Sequence, residues 1–267
     1  MDCVFVWNMD PDLVHIGPVT IRWYGLMFAM AFLLGTNILS RIFKAEGKAP
    51  ESIDRLLIYM LVAIVVGARL GETFFYNPAY YLNRPLEILK VWEGGLASHG
   101  AVVGILIALF IYSRRTNDQP YIWLLDRISI IVALGGSLIR IGNFFNSEII
   151  GIPTGRALGI VFQQVDSQPR HPAQLYESAS YLLLFLVLLL IYKKVDTVRR
   201  QGILAGVFLS VGFSARFFIE FVKETMVSTR SDWLLSTGQL LSIPVILLGL
   251  LLLFKGLFAP ERQGAEN

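Results

Sequence analysis

Cysteine is nearly absent. Cys3 is the single one among 267 residues, which excludes an internal disulfide and any cysteine-based metal site. Histidine is scarce too: His15, His99 and His171 stand far apart and show no ligand spacing, so no metal is expected. Charge is thin, at 16% of residues, and a net charge of +3 is too small to argue for nucleic acid. No internal repeat and no low-complexity tract occur, so the inverted-repeat signature of many transporters is missing. The first twenty residues hold Asp2, Asp10 and Asp12 but no lysine or arginine. That is the wrong flank for a secretory signal, and no cleavage is expected.

Apolar sequence is what the chain has in quantity. It is 55% hydrophobic with a mean hydropathy of +0.60, above the roughly 45–50% apolar content, glycine included, of soluble domains. An integral membrane protein follows. About 20 helical residues cross the hydrocarbon layer, and seven runs meet that length, near 22–43, 54–75, 96–112, 121–140, 175–192, 202–222 and 238–258. The expected fold is therefore all-α: a single membrane domain over residues 1–267, built as a seven-transmembrane-helix bundle.

Loop charges orient it. One set of connections holds Arg41, Lys44, Lys48, Arg55, Arg114, Arg115, Lys193, Lys194, Arg199, Arg200, Lys255 and Arg262. The other holds the shorter list Arg22, Arg84, Lys90, Arg156, Arg170, Lys223 and Arg230. The positive-inside bias puts the N-terminus outside and the C-terminus in the cytoplasm. Polar segments 76–95, 141–174 and 223–237 then lie outside. Residues 155–165 are apolar enough for a strand or packed hairpin in a small external cap.

The densest chemistry lies in Arg140-Ile141-Gly142-Asn143-Phe144-Phe145-Asn146-Ser147-Glu148-Ile149-Ile150-Gly151-Ile152-Pro153-Thr154. Arg140 ends the apolar run 128–139, and Asn143 is one turn on, on the same helical face. A charge at bilayer depth costs roughly 2.5–3.5 kcal/mol on insertion scales and marks a functional site by default. Arg216 is its counterpart in the sixth run, and two unneutralised guanidinium groups near the hydrocarbon imply an anion such as a phospholipid head group. The bland alternatives are ion pairs: Arg140 with Glu148, Arg216 with Glu220 at i,i+4, and Arg69 with Glu72 at i,i+3. Asp126 and Arg127 read as snorkelling structure.

Two further clusters flank this centre. Gly94-Gly95-Leu96-Ala97-Ser98-His99-Gly100-Ala101-Val102-Val103-Gly104 sets a lone histidine among small residues that permit close approach by a helix or lipid. A solitary histidine is more often structural, yet His99 is the best general-base candidate in the chain. In Arg170-His171-Pro172-Ala173-Gln174-Leu175-Tyr176-Glu177, Glu177 reads as a complement to a helix dipole and His171 as structural. Tyr24 reads as an interfacial aromatic anchor. Two function classes fit: an enzyme acting on a phospholipid or polyprenyl phosphate, or a carrier or flippase that binds the same head group without covalent chemistry.

Taken together, Gly94-Gly95 through Ala101, the Arg140–Thr154 block and His171-Pro172 with Gln174-Leu175-Tyr176-Glu177 resemble bacterial prolipoprotein diacylglyceryl transferases, from about residue 20 to residue 258. Ala173 departs from that pattern, where a hydroxyl residue is usual, and residues 228–233 match no part of it. The resemblance implies transfer of the diacylglyceryl group of phosphatidylglycerol to the lipobox cysteine of a prolipoprotein signal peptide. It also implies a multi-pass location in the bacterial cytoplasmic (inner) membrane, a site on the periplasmic side, and no cofactor. The expected chemistry lies with His99, Arg140 and Arg216. Substrate binding is expected from Arg140, Asn143, Asn146, Glu148 and Gly151, joined by Glu220, Tyr24, Gly100 and Arg69.

Overall fold

The computed structural model describes residues 5–258 except 18, 50, 92–93, 96, 117, 156–158 and 225–234. Cys3, Arg156, Arg230, Arg262 and the stretch 228–233 lie outside the described residues. Long helices form at all seven expected runs: α1 (Trp23–Ala45), α2 (Glu51–Gly71), α4 (Ser98–Arg115), α5 (Tyr121–Phe145), α6 (Ala173–Lys194), α7 (Ile203–Ile219) and α8 (Thr237–Phe258), with a short α3 (Pro78–Asn83) between α2 and α4. Five of them, α1, α5, α6, α7 with its continuation to Val222, and α8, are long and apolar enough to cross a membrane. Their outer faces support that reading. Leu183 and Leu190 of α6 and Leu251 and Phe254 of α8 are more than half exposed, a stripe that water would penalise and lipid would not.

The fold is not purely helical. Strands β1 (Phe5–Trp7), β4 (Ile160–Phe162) and β5 (Pro169–Arg170) make a small sheet in the order β1-β4-β5, with β1 parallel and β5 antiparallel to β4. Strands β2 (Asp12–Ile16) and β3 (Val19–Arg22) form a bulged hairpin leading straight into α1. The apolar stretch around residue 160 is thus a strand. Phe162 is fully buried and, with Phe144, Ile150 and Ile160, forms a core against which Trp7 and Leu175 pack.

The chain divides into two compact units, residues 39–125 and the remainder. In the first, α2 and α4 meet along glycines. A Cβ on Gly67 would lie 2.5 Å from the Gly100 carbonyl, and one on Gly71 would lie 2.8 Å from the Gly100 Cα. Gly104 closes on the Ala63 carbonyl in the same way. Each helix carries a G-x-x-x-G face, so the two backbones touch.

In the second unit, α7 packs on α8 at Gly206 and Gly249. The start of α8 is a capping box: the Gln239 amide donates to Ser236 Oγ (3.2 Å) and the Ser236 amide to Gln239 Oε1 (2.8 Å). Asp126 and Arg127 are fully buried and do not snorkel. Asp126 accepts the amides of Gly202 (2.7 Å) and Ala205 (2.8 Å), the otherwise orphaned donors at the start of α7. Arg127 lies 3.7 Å from Asp126 and reaches the Thr197 carbonyl at 3.3 Å.

Candidate functional site

The loop after α5 is strained by design of its backbone. Ser147 and Ile149 have φ of 54° and 56°, and a β-branched residue in the left-handed region is an outlier that the surroundings must enforce. They do so through one carboxylate and one amide. Glu148 receives Asn143 Nδ2 on Oε2 and Asn146 Nδ2 on Oε1, both at 3.2 Å, while Gln174 Nε2 donates to the Glu148 carbonyl at 2.6 Å. Gln174 is completely buried.

Arg140 does not pair with Glu148. Its Nη1 donates to Asn143 Oδ1 (2.9 Å), and its Nε lies 2.5 Å from Oε2 of Glu177 on α6. The second contact is an ion pair by distance, whereas its angle is too poor for a hydrogen bond and Oε2 accepts none. Nη2 has no hydrogen-bond partner among the described residues. Glu177, 3% exposed, also holds Lys223 Nζ at 3.2 Å on Oε1. Its role is to hold two cations rather than to complement the helix dipole.

Arg216 makes no ion pair among the described residues. The i,i+4 pairing with Glu220 is absent: Glu220 instead accepts Ser236 Oγ at 3.3 Å and lies against Gly238 of α8. Arg216 and Glu177 line a narrow cleft between α6 and α7, with Ser180, Tyr181, Leu184 and Ile219. Tyr181 feels the charges of Arg140, Glu177 and Arg216 together. Tyr24, at the start of α1, packs against Gly142 and feels the charges of Arg140 and Glu148.

Gly151 is filled on all sides. A Cβ there would meet the Val222 carbonyl at 2.5 Å and the His171 carbonyl at 2.6 Å. Its backbone bridges to Lys223, so its task is to set the position of that lysine. His171 is structural: its amide donates to the Ile152 carbonyl, and its ring shares a 3.2 Å hydrogen bond with the Tyr176 hydroxyl. Arg170 ties the loop together, binding Asp166 (2.6 Å), Glu224 (3.0 Å) and the Gly151 carbonyl (3.2 Å). The Arg170 hydrogen bond holds the Asp166 carboxyl below its ordinary range, and the same bond raises Arg170.

In the smaller unit His99 is exposed at the start of α4. Gly100 beside it packs into the seam with α2. Arg69 does not pair with Glu72, whose partner is Asn77 at 2.7 Å. It donates to the carbonyls of Ile88 (2.9 Å), Gly94 (2.6 Å), Gly95 (3.1 Å), Lys90 (3.1 Å) and Glu87, and its guanidinium lies 4.9 Å from the Tyr81 ring centre. An arginine has five N–H donors, so Arg69 has none left. Glu177 and Lys223 are the partners that sequence reasoning missed. The available signal was Glu177 itself, a carboxylate one turn inside an apolar helix, which requires a cation.

A family model described as prolipoprotein diacylglyceryl transferase matches residues 11–255. A phosphatidylglycerol–prolipoprotein diacylglyceryl transferase of Chloroherpeton thalassium is 51% identical over 93% of each chain. Proteins of the same description from Tolumonas auensis and Porphyromonas gingivalis are 46% identical (92% of this chain, 95% of the relative) and 38% identical (96% of each).

Proposed function

Because the chain belongs to the prolipoprotein diacylglyceryl transferase family, we propose that it moves the diacylglyceryl group of phosphatidylglycerol onto the lipobox cysteine of a prolipoprotein. The thiol sulfur attacks the glyceryl carbon that bears the phosphate ester. A C–S bond forms, the C–O bond breaks, and its electron pair leaves with glycerol phosphate. The observation that carries this reading is Arg140, held at Nε and Nη1 with no partner for Nη2 among the described residues, on Glu177, which lines a largely apolar cleft together with Arg216. Charge grows on the departing phosphate, and preorganised guanidinium donors in a poorly hydrated site stabilise it strongly.

The other roles follow from this assignment. Asn143, Asn146, Glu148 and Gly151 shape the loop that aims Arg140, with Tyr24 packed on it and Glu220 fastening α7 to α8. Arg69 organises the loop between residues 87 and 95 instead of binding lipid. His99 accepts the thiol proton, since a cysteine of ordinary pKa is only a few per cent ionised at neutral pH. His99→Gln with normal turnover and an unchanged pH profile would remove it from that role.

All seven long helices cross the bacterial inner membrane in this reading, with the N-terminus and the strands on the periplasmic side. A tag after residue 267 is then protected from external protease and a reporter within residues 155–165 is not; the reverse pattern overturns the orientation. The activity is tested by incubating purified protein with phosphatidylglycerol and a lipobox peptide. The peptide should gain one diacylglyceryl mass. Lipid redistribution without that gain points to a carrier.

A further inference from the structure

We infer that Lys223 is a third phosphate ligand of this site, held in readiness by Glu177. The inference rests on the proposed transfer reaction and extends it to a residue that the loop-charge analysis counted as ordinary. Glu177 sits between two cations, with Arg140 Nε on Oε2 at 2.5 Å and Lys223 Nζ on Oε1 at 3.2 Å. One buried carboxylate cannot neutralise both, and the surplus is one positive charge. Arg216, unpaired among the described residues and lining the same cleft as Glu177, adds a further cation, while Glu148, joined to Arg140 through Asn143, adds an anion. The cluster keeps a net positive charge, which suits a phosphate ligand.

Lys223 is also built in place. Its neighbours are fastened on both sides: the Ile152 amide donates to the Val222 carbonyl (2.9 Å) and the Glu224 amide to the Ile150 carbonyl (3.1 Å). Lys223 itself bridges to Gly151, where no larger residue fits. Glu224 is clamped again by Arg170 at 3.0 Å. The strained loop that aims Arg140 therefore fixes Lys223 as well. Its side chain is 14% exposed, against 17% for Arg140, so the ammonium sits at the same partly dry boundary. An ammonium is a point charge with three rotatable donors, and Nζ can keep Glu177 while turning another donor to an incoming oxygen. Glu177 is the positioning residue that separates the two cations.

The test is competition by glycerol phosphate, the released product, against phosphatidylglycerol in the transfer assay. Lys223→Gln should weaken that inhibition at least about tenfold, as for a lost charge-assisted hydrogen bond, with a smaller change in KM for phosphatidylglycerol. Lys223→Arg should stay within about threefold of the parent. If Lys223→Gln does not accumulate because it leaves Glu177 with one partner, the comparison is made in a Glu177→Gln background, where no carboxylate is orphaned. There too, removing Lys223 should cost about tenfold. Unchanged inhibition in whichever background accumulates overturns the inference while leaving the transferase reading intact. Failure of the parent protein to transfer the group at all would instead sink that reading.

Discussion

Arg69 and Arg140 are both arginines near the end of an apolar helix, and the structure uses them in opposite ways. Arg69 is 4% exposed and spends all five donors on backbone carbonyls between residues 87 and 95. Arg140 is fixed by one carboxylate and one amide and keeps Nη2 open. The first arginine ties together the backbone on either side of residue 90 by donating from one guanidinium to carbonyls from Glu87 to Gly95. The second has its position determined but its charge incompletely used. The two arginines differ in what their partners leave over, not in their depth, and the proposed role of Arg140 rests on that difference.

The largest expected break in that contrast is Arg140→Ala. It should reduce diacylglyceryl transfer by about 10³-fold or more, the scale of removing a preorganised donor to developing charge. The paired variant Arg140→Ala/Glu177→Gln should stay inactive although it removes the buried charge left behind. Recovery of transfer in a mass-spectrometric assay would make Arg140 structural. Glu177, rather than Glu148, is the correct second site because it is the carboxylate on the guanidinium.

Arg69→Lys should behave differently. It leaves at least two of the five hydrogen bonds unmade, because an ammonium has three donors, and each loss costs about 0.5–1.5 kcal/mol of stability. Thermal unfolding should register that loss, while KM for phosphatidylglycerol should hold within about twofold for the protein that remains folded. A raised KM at unchanged melting temperature would return Arg69 to the binding site.

The smallest effect concerns Asp166, a carboxylate held low by Arg170. Its folded pKa lies below the ordinary 3.8, so its stabilising contribution is present above that value and disappears as pH falls through the depressed one. Acid titration of the parent protein should loosen residues 160–170, read by hydrogen exchange, more than in Asp166→Asn. Equal loosening in the two would deny the pair any role in acid sensitivity.

Much of this was legible beforehand. Long helices stand at all seven apolar runs, five of them long and apolar enough to cross a membrane, the strand at residue 160 is real, and Arg140 with Asn143 shares a helical face as the i,i+3 spacing requires. What escaped was tertiary. Lys223 and Glu177 are 46 residues apart, and no local pattern brings them together; each had an adequate local explanation, as a loop charge and as a helix-start acid. Arg69 escaped for another reason. Its partners are carbonyl oxygens, which every residue carries and no sequence pattern marks. The small residues around Gly100 signalled close approach by a helix or lipid, and α2 is a helix that approaches there.

The central claim is that the arginine with donors left over is the one that works. Its most direct test is to measure melting temperature and glycerol phosphate affinity together on purified Arg69→Lys and Arg140→Lys. Arg140→Lys should lose about tenfold or more in affinity with little change in melting temperature, since a point charge replaces a fork. Arg69→Lys should melt several degrees lower and keep its affinity. Affinity lost from Arg69→Lys at an unchanged melting temperature, or undiminished in Arg140→Lys, would contradict the account.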